Sequence, residues 1–153
     1  MEDGTSGVGF ATLLQLELDA LIACRQALTS TDLPSARTLI ERLLQAHQTR
    51  LERVASLART SGTSVPDIFS QGRGFATPGF IAAALRGTGS ALRALRIDEA
   101  IAAGLYEHAR TWKSVPRGVR ALLTDSREEQ RGLLAALDSE IASRVWEHPD
   151  THP

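Results

Sequence analysis

The sequence predicts an all-α fold, arranged as a four-helix bundle with one additional helix that crosses over between the second and third helices. The first observation is compositional: alanine and leucine together number 43, against 13 isoleucine and valine residues. Alanine and leucine favour helices, whereas β-branched residues favour strands. The second observation is that apolar residues recur every three or four positions in four long segments, which is the period of an amphipathic helix.

The first two helices are predicted from long apolar faces. The first covers residues 9–28, and its face consists of Phe10, Leu13, Leu14, Leu18, Leu21, Ile22 and Leu28. We expect Thr31 or Asp32 to cap the second helix, with Pro34 in its first turn and Gly62 at its end. The second face consists of Ala36, Leu39, Ile40, Leu43, His47, Leu51, Val54 and Leu57.

An irregular segment and a crossover helix are predicted next. Residues 62–78 contain three glycines and two prolines, so they are expected to form no regular element. The crossover helix begins at Thr77 and Pro78 and runs to about Arg96. Its interior glycines weaken it, because glycine costs about 1 kcal/mol relative to alanine inside a helix.

The third and fourth helices complete the predicted bundle. Asp98 is expected to cap the third, whose core face consists of Ile101, Leu105, His108, Trp112 and Val115. The fourth begins at Pro116 and continues to about Trp146. Its face consists of Val119, Leu122, Leu123, Leu133, Leu134, Leu137 and Ile141.

The domain organisation follows from these elements. Residues 9–146 are predicted to form a single helical-bundle domain between two flexible tails, residues 1–8 and 147–153. Short connections make the first two helices antiparallel, and likewise the last two, while the crossover is long enough to span the bundle. His148 and His152 lie in the C-terminal tail, and we expect disorder there in preference to metal binding.

Charge and cysteine content exclude several classes of function. Seventeen basic and eighteen acidic side chains give a net charge of −1, and neither sign forms a long run, so nucleic acid is not expected as a partner. No apolar stretch is long enough to span a membrane. A single cysteine, Cys24, cannot form an intrachain disulfide, and the N-terminus lacks the pattern of a signal peptide. We therefore expect a cytoplasmic protein with a quiet, buried thiol.

A layer of polar side chains is predicted inside the bundle, near the middle of each helix. Its members are Glu17 on the first helix, His47 on the second, His108 on the third, and Ser126, Gln130 and, on the flank, Glu129 on the fourth. A buried carboxylate is unfavourable unless it is paired, hydrogen-bonded or bound to a cation. The layer is therefore the one feature of the sequence that indicates a site.

Two interpretations of this layer stay open. The first is a mononuclear metal site formed by Glu17, His47, His108 and Glu129, because two imidazoles with carboxylates suit iron or zinc. The second is a hydrogen-bonded polar layer, in which a protonated His47 or His108 pairs with Glu17 and fixes the register of the helices.

The pattern resembles the ferritin-like superfamily, in particular a small bacterial branch of uncharacterised four-helix-bundle proteins. The resemblance covers about residues 10–140, and two features carry it: a glycine-containing crossover helix, and the segment Pro-Arg-Gly-Val-Arg-Ala-Leu-Leu that opens the fourth helix at Pro116. Ferritin-like di-iron proteins supply a glutamate from each of two helices and a Glu-x-x-His motif from each of the other two.

The resemblance implies a degenerate di-iron site. Glu17 matches the first-helix glutamate, and His47 matches the histidine of the second-helix motif, whose glutamate position holds Leu44. His108 occupies the third-helix glutamate position, and the fourth helix offers only Arg127-x-x-Gln130. Because bridging two irons needs the missing carboxylates, a working di-iron oxidase or ferroxidase is not expected.

The functional expectation is a protein that is not an enzyme. The sequence has no glycine-rich phosphate loop, nucleophile elbow, His-Glu-x-x-His motif or zinc-spaced cysteine pair. The leading hypothesis is a helical bundle that acts by contact with another protein or as a homodimer; the alternative is the iron or zinc site. Trp146 lies off the apolar stripe, which indicates either an interface or a loosely packed helix end.

Overall fold

The computed structural model describes residues 3–62, 86–112 and 118–143. Within these ranges the chain forms four helices and no strand: α1 (Asp3–Thr29), α2 (Pro34–Thr60), α3 (Thr88–Ala109) and α4 (Val119–Ser143). The predicted all-α class is therefore confirmed. None of these four helices combines the length and the apolar character that crossing a membrane would require.

Two apolar clusters define the directions of the helices. One cluster takes its residues from the C-terminal half of α1, the N-terminal halves of α2 and α3, and the C-terminal half of α4. The other takes its residues from the opposite halves of the same helices. The pairs α1–α2 and α3–α4 are therefore antiparallel, as predicted, whereas α2 and α3 run parallel. Thr60 and Thr88 consequently lie at opposite ends of the bundle.

The four helices pack around a square. Helix α1 contacts α2 and α3, and α4 contacts the same two helices from the other side. Ion pairs on the surface agree with this arrangement: Arg53 of α2 lies 3.0 Å from Asp125 of α4, and Arg96 of α3 lies 2.9 Å from Asp138 of α4.

The turn between α1 and α2 differs from the prediction. Leu33 is the N-cap of α2 and makes no side-chain capping hydrogen bond, so the expected cap at Thr31 or Asp32 is wrong. The Thr31 hydroxyl instead donates to the carbonyl of Ala27 at 2.7 Å, and Arg37 donates to the carbonyl of Thr31 at 2.9 Å. These bonds satisfy carbonyls at the end of α1, where helical partners run out. Helix α1 itself begins upstream of its predicted start.

Helix α3 differs most from the prediction. It runs unbroken through Asp98, which was expected to separate the crossover helix from the third helix. Its buried positions are Gly89, Ala91, Leu92, Leu95, Glu99, Ala102, Tyr106 and Ala109. Ile101 is 54% exposed and His108 is exposed, so the predicted core face is wrong. The prediction started a new helix at Asp98 and took the side that carries Ile101 as its core face. In the continuous helix the core face is instead the side that carries Leu92 and Leu95.

Several predictions fall outside the described residues. These are the beginning of the crossover helix, the irregular segment 63–78, Val115, Trp146, His148, His152, residues 1 and 2, and the C-terminal tail. Residues 3–8, predicted as part of the N-terminal tail, form the start of α1. At the start of the last helix, α4 begins at Val119 and not at Pro116, and Gly118 before it has a φ of 92°. Trp112, predicted in the core, is half-buried and packs edge-on against Phe10 with the ring centroids 6.5 Å apart.

Two glycines should respond in opposite ways to replacement by alanine. Gly118 has a positive φ, and an added Cβ would lie 2.9 Å from Leu57, so Gly118→Ala should lower the free energy of unfolding by about 1–2 kcal/mol. Gly132 lies inside α4 with open space around an added Cβ, so Gly132→Ala should raise it by about 0.5–1 kcal/mol. Urea unfolding measures both changes. Equal effects of the two substitutions would contradict the backbone assigned to Gly118.

Candidate functional site

A layer of buried polar side chains separates the two apolar clusters. Its members are Glu17 at 0% exposure, Ser126, Gln130, Glu99 and His47 at 2%, and Arg50 at 3%. The predicted burial of Glu17, His47, Ser126 and Gln130 is confirmed. Arg50 was expected only at the edge of its apolar face, and that expectation is wrong.

The helix period places these side chains in the layer. Glu17 lies one turn beyond Leu14 and one turn before Leu21, both of which are buried. Glu99 lies one turn beyond Leu95, and Tyr106 lies two turns further along the same face. Because each residue continues an apolar stripe, packing of the stripe carries the polar group inside.

His47 lies between two carboxylates. Its Nδ1 is 2.6 Å from Oε2 of Glu17, and its Nε2 is 2.8 Å from Oε2 of Glu99. A neutral imidazole has one N–H, so only the doubly protonated ring donates to both carboxylates. Burial lowers the pKa of His47, but the hydrogen bonds to Glu17 and Glu99 outweigh burial and raise the pKa to about 9. His47 is therefore a cation at neutral pH.

Arg50 provides the second cation of the layer. Its Nη1 lies 3.5 Å from Oε1 of Glu17 and its Nη2 lies 3.6 Å from Oε1 of Glu99. Its Nε donates to Glu129 at 3.1 Å, and that glutamate is 47% exposed. Burial lowers the pKa of Arg50, but the surrounding carboxylates outweigh burial and raise it. The guanidinium therefore bridges the buried carboxylates to the surface.

Tyr106 completes the coordination of Glu17. Its hydroxyl donates to Oε1 of Glu17 at 2.7 Å, and its ring centroid lies 5.9 Å from Cζ of Arg50, within the range of a cation–π contact. Burial and the charge of Glu17 raise the pKa of Tyr106 well above its ordinary value. The phenol therefore stays neutral and acts as a hydrogen-bond donor.

The charges inside the layer balance. Two cations, His47 and Arg50, face the carboxylates of Glu17 and Glu99. Burial raises the pKa of Glu99, but its hydrogen bond to His47 and the charges of His47 and Arg50 together outweigh burial and lower it. A buried ion pair is tolerated when its charges are compensated, and here the two cations match the two carboxylates in number, although Arg50 Nη2 and Glu99 Oε1 make no hydrogen bond within the described residues.

The structure brings only part of the predicted site together. Glu17 and His47 are in direct contact, and Glu129 reaches the layer only through Arg50. His108 is exposed, so the predicted set of four does not form one site. Sequence reasoning missed Glu99, although the stripe from Leu92 and Leu95, continued at the helix period, leads to it and then to Tyr106.

The layer does not fit the di-iron site that the resemblance implies. A metal ligand needs a lone pair, and both ring nitrogens of His47 carry protons that point at carboxylates. Arg50 lies beside both carboxylates, where it supplies positive charge. Within residues 3–62, 86–112 and 118–143, no group of three or more histidine, cysteine, aspartate or glutamate side chains is arranged to hold a metal ion.

Cys24 is buried near the layer, with 1% exposure. Burial, and next the charges of Glu99 and Asp98, raise the pKa of Cys24 to about 12. Because the thiolate is the reactive form, this cysteine is inert in the folded protein, as the sequence predicted.

Stability should depend on pH through His47. Its pKa is about 9 in the fold against an ordinary value of 6.5, so its contribution is fully present below pH 6.5 and is lost as pH rises through about 9. We expect the free energy of unfolding to fall by about 3 kcal/mol across this window, at about 1.4 kcal/mol per pKa unit. Urea unfolding in a pH series measures it. Stability that stays flat or rises across the window would show that His47 is neutral.

A matched pair of substitutions distinguishes buried His47 from exposed His108, both of which the sequence predicted in the core. His47→Gln removes a cation and leaves two buried carboxylates with Arg50 alone, so it should cost about 3–5 kcal/mol and flatten the pH dependence. His108→Gln changes an exposed residue and should alter the free energy of unfolding by less than about 0.5 kcal/mol. Similar losses for the two variants, measured by urea unfolding, would contradict the placement of either residue.

Comparisons with known proteins identify no family for this chain. No protein-family model, no curated protein and no solved structure matches the chain. The function is therefore inferred from the contacts described above.

Proposed function

We propose that this protein is a non-enzymatic, ferritin-like helical bundle that acts through protein contacts, first of all with a second copy of itself. The observation that carries the proposal is an apolar patch on the outer face of α3. Ile97 is 59% exposed and Ile101 is 54% exposed, and the two residues lie one turn apart. Adjacent exposed isoleucines on one helix face are typical of a contact surface.

The charged layer is buried and inaccessible to a substrate, which supports a structural role for it. General acid–base catalysis requires the catalytic group to reach a substrate proton. His47, Glu17 and Glu99 are each at most 2% exposed, and their hydrogen-bonding atoms face one another. The layer instead specifies which helices meet and at what register, a use to which buried polar groups are suited. The parallel course of α2 and α3 supports the ferritin-like arrangement.

The outer face of α3 suits antiparallel pairing with its own copy. With the two-fold axis at Ile101, Ile97 of one copy meets Leu105 of the other, and Ala94 meets His108. Gly104 lies on the same side, and a Cβ added there would meet nothing within 4 Å, so a second helix has room to approach. A self-complementary face of this kind gives a closed two-fold dimer. Because the patch is small, we expect dimerisation to be weak and dependent on concentration.

Self-association should therefore disappear when the patch is made polar. The double variant Ile97→Ser/Ile101→Ser should be monomeric at concentrations where the unaltered protein is partly dimeric, because it removes the exposed apolar area. Sedimentation equilibrium over a wide concentration range measures this. The control Ala121→Ser/Ala135→Ser changes exposed positions on α4 and should dimerise normally. An unaltered protein that is strictly monomeric, and that recovers no partner from lysate, would refute the proposal.

A mononuclear iron or zinc site is the second candidate, because two carboxylates approach the same imidazole. Glu17 and Glu99 lie within 2.8 Å of the ring nitrogens of His47, so loss of one ring proton would leave one nitrogen free to bind a metal together with the carboxylate beside it. Binding would stabilise the fold by about 2.7 kcal/mol at a hundredfold excess over Kd, and more strongly at high pH. We expect neither iron nor zinc to shift thermal unfolding between about pH 5.5 and 8, the range that spans the imidazole pKa. Metal that co-purifies with untagged protein and raises Tm would favour the metal site.

A further inference from the structure

A cavity of about 200 Å³ lies between α3 and α4 beside the charged layer. It is lined by Ala103, Tyr106, Glu107, Leu123, Arg127, Gln130, Arg131 and Leu134. Tyr106, Leu123 and Gln130 are buried and form its inner wall. Glu107 and the two arginines are exposed and form its rim. The cavity therefore has an apolar interior and a charged opening.

The inner wall contains an unpaired donor. Gln130 is 2% exposed, and its Nε2 has no hydrogen-bond partner in the part of the chain that the structure describes. A buried donor without an acceptor is unfavourable, and native proteins rarely keep one without a reason. Gln130 lines the cavity, so this unpaired donor belongs to a residue of its inner wall.

The rim contains two guanidinium groups with hydrogen-bonding capacity to spare. Nε of Arg127 lies 3.6 Å from Glu107, and Nη1 of Arg131 lies 3.7 Å from Glu128, and both distances are longer than a hydrogen bond. Glu107 accepts its hydrogen bond from Arg110, at 3.0 Å. The arginines at the opening are therefore suited to bind an anion.

We propose that this cavity binds a small aromatic carboxylate. The ring would pack against Leu123, Leu134 and the ring of Tyr106, and the carboxylate would accept hydrogen bonds from Arg127 and Arg131, whose forked donors match its two oxygens. The size agrees, since an apolar cavity of about 150 Å³ accepts benzene and the larger volume here leaves room for a carboxylate. The ion pairs of the layer and the α3 patch take no part in this binding, although Tyr106 and Gln130 contribute both to the layer and to the wall of the cavity.

Benzoate is the probe, titrated into ¹⁵N-labelled full-length protein and followed by NMR. We expect saturable shifts of the backbone amides of Ala103, Tyr106, Gln130 and Leu134, with a Kd in the millimolar range that is usual for a ligand of this size. Benzyl alcohol, which keeps the ring and lacks the charge, should bind more weakly. Shifts that do not saturate, or that lie elsewhere on the protein, would overturn the proposal.

Two variants test the parts of the site separately. Arg127→Gln/Arg131→Gln should weaken benzoate about tenfold and leave benzyl alcohol unchanged, since charged hydrogen bonds contribute at least this much. The control Arg120→Gln changes an exposed arginine of α4 outside the cavity and should bind as the unaltered protein does. Leu134→Trp fills the cavity and should abolish binding of both probes. Benzoate affinity that survives the double arginine variant, or binding that survives Leu134→Trp, would refute the site.

Discussion

The imidazolium of His47, held between Glu17 and Glu99, is the interaction on which the rest of the bundle depends. It is the point where α1, α2 and α3 meet, and each helix carries its charged group inside on an apolar stripe. Burial alone would favour a neutral ring, so the positive charge persists only because carboxylates occupy both sides. Arg50 then balances the second negative charge and Tyr106 completes the hydrogen bonding of Glu17. The two buried cations and the two buried carboxylates consequently compensate one another.

The features of this protein that can contact another molecule lie near its surface and not in the charged layer. The charged groups that most resemble catalytic machinery face one another, with His47 bonded to Glu17 and Glu99, and their exposure is negligible. The features with capacity for a further contact lie towards the surface: the isoleucines on α3, and the cavity whose rim carries Arg127 and Arg131. These two features face different classes of partner, one apolar and one anionic. The polar interior thus supports recognition by holding the helices that carry both.

The sequence was sufficient for the class, for the antiparallel pairs and for four of the six members of the layer. Glu17 and His47 were predictable because each interrupts a strong apolar stripe at its centre. Arg50 was missed because helical periodicity positions the Cβ atom, whereas a long side chain can carry its guanidinium inwards. Glu99 was missed because Asp98 resembles a helix cap, whereas the helix continues through Asp98 on the stripe set by Leu92 and Leu95. The same predicted helix start at Asp98 led to the wrong core face for this helix, and therefore to the wrong expectation that His108 is buried.

The distribution of charge between the two helical hairpins has a consequence for cooperativity. The α1–α2 hairpin contributes Glu17, His47 and Arg50 to the layer, so its buried part carries one excess positive charge; the α3–α4 hairpin contributes Glu99, an excess negative charge. In either hairpin alone no partner would compensate the excess ion, so burying that ion there would be strongly unfavourable. Neutrality is reached only when the halves dock. The charged layer therefore couples the folding of one hairpin to that of the other. The bundle is then a single cooperative folding unit, although most of its helix–helix contacts lie within the two hairpins.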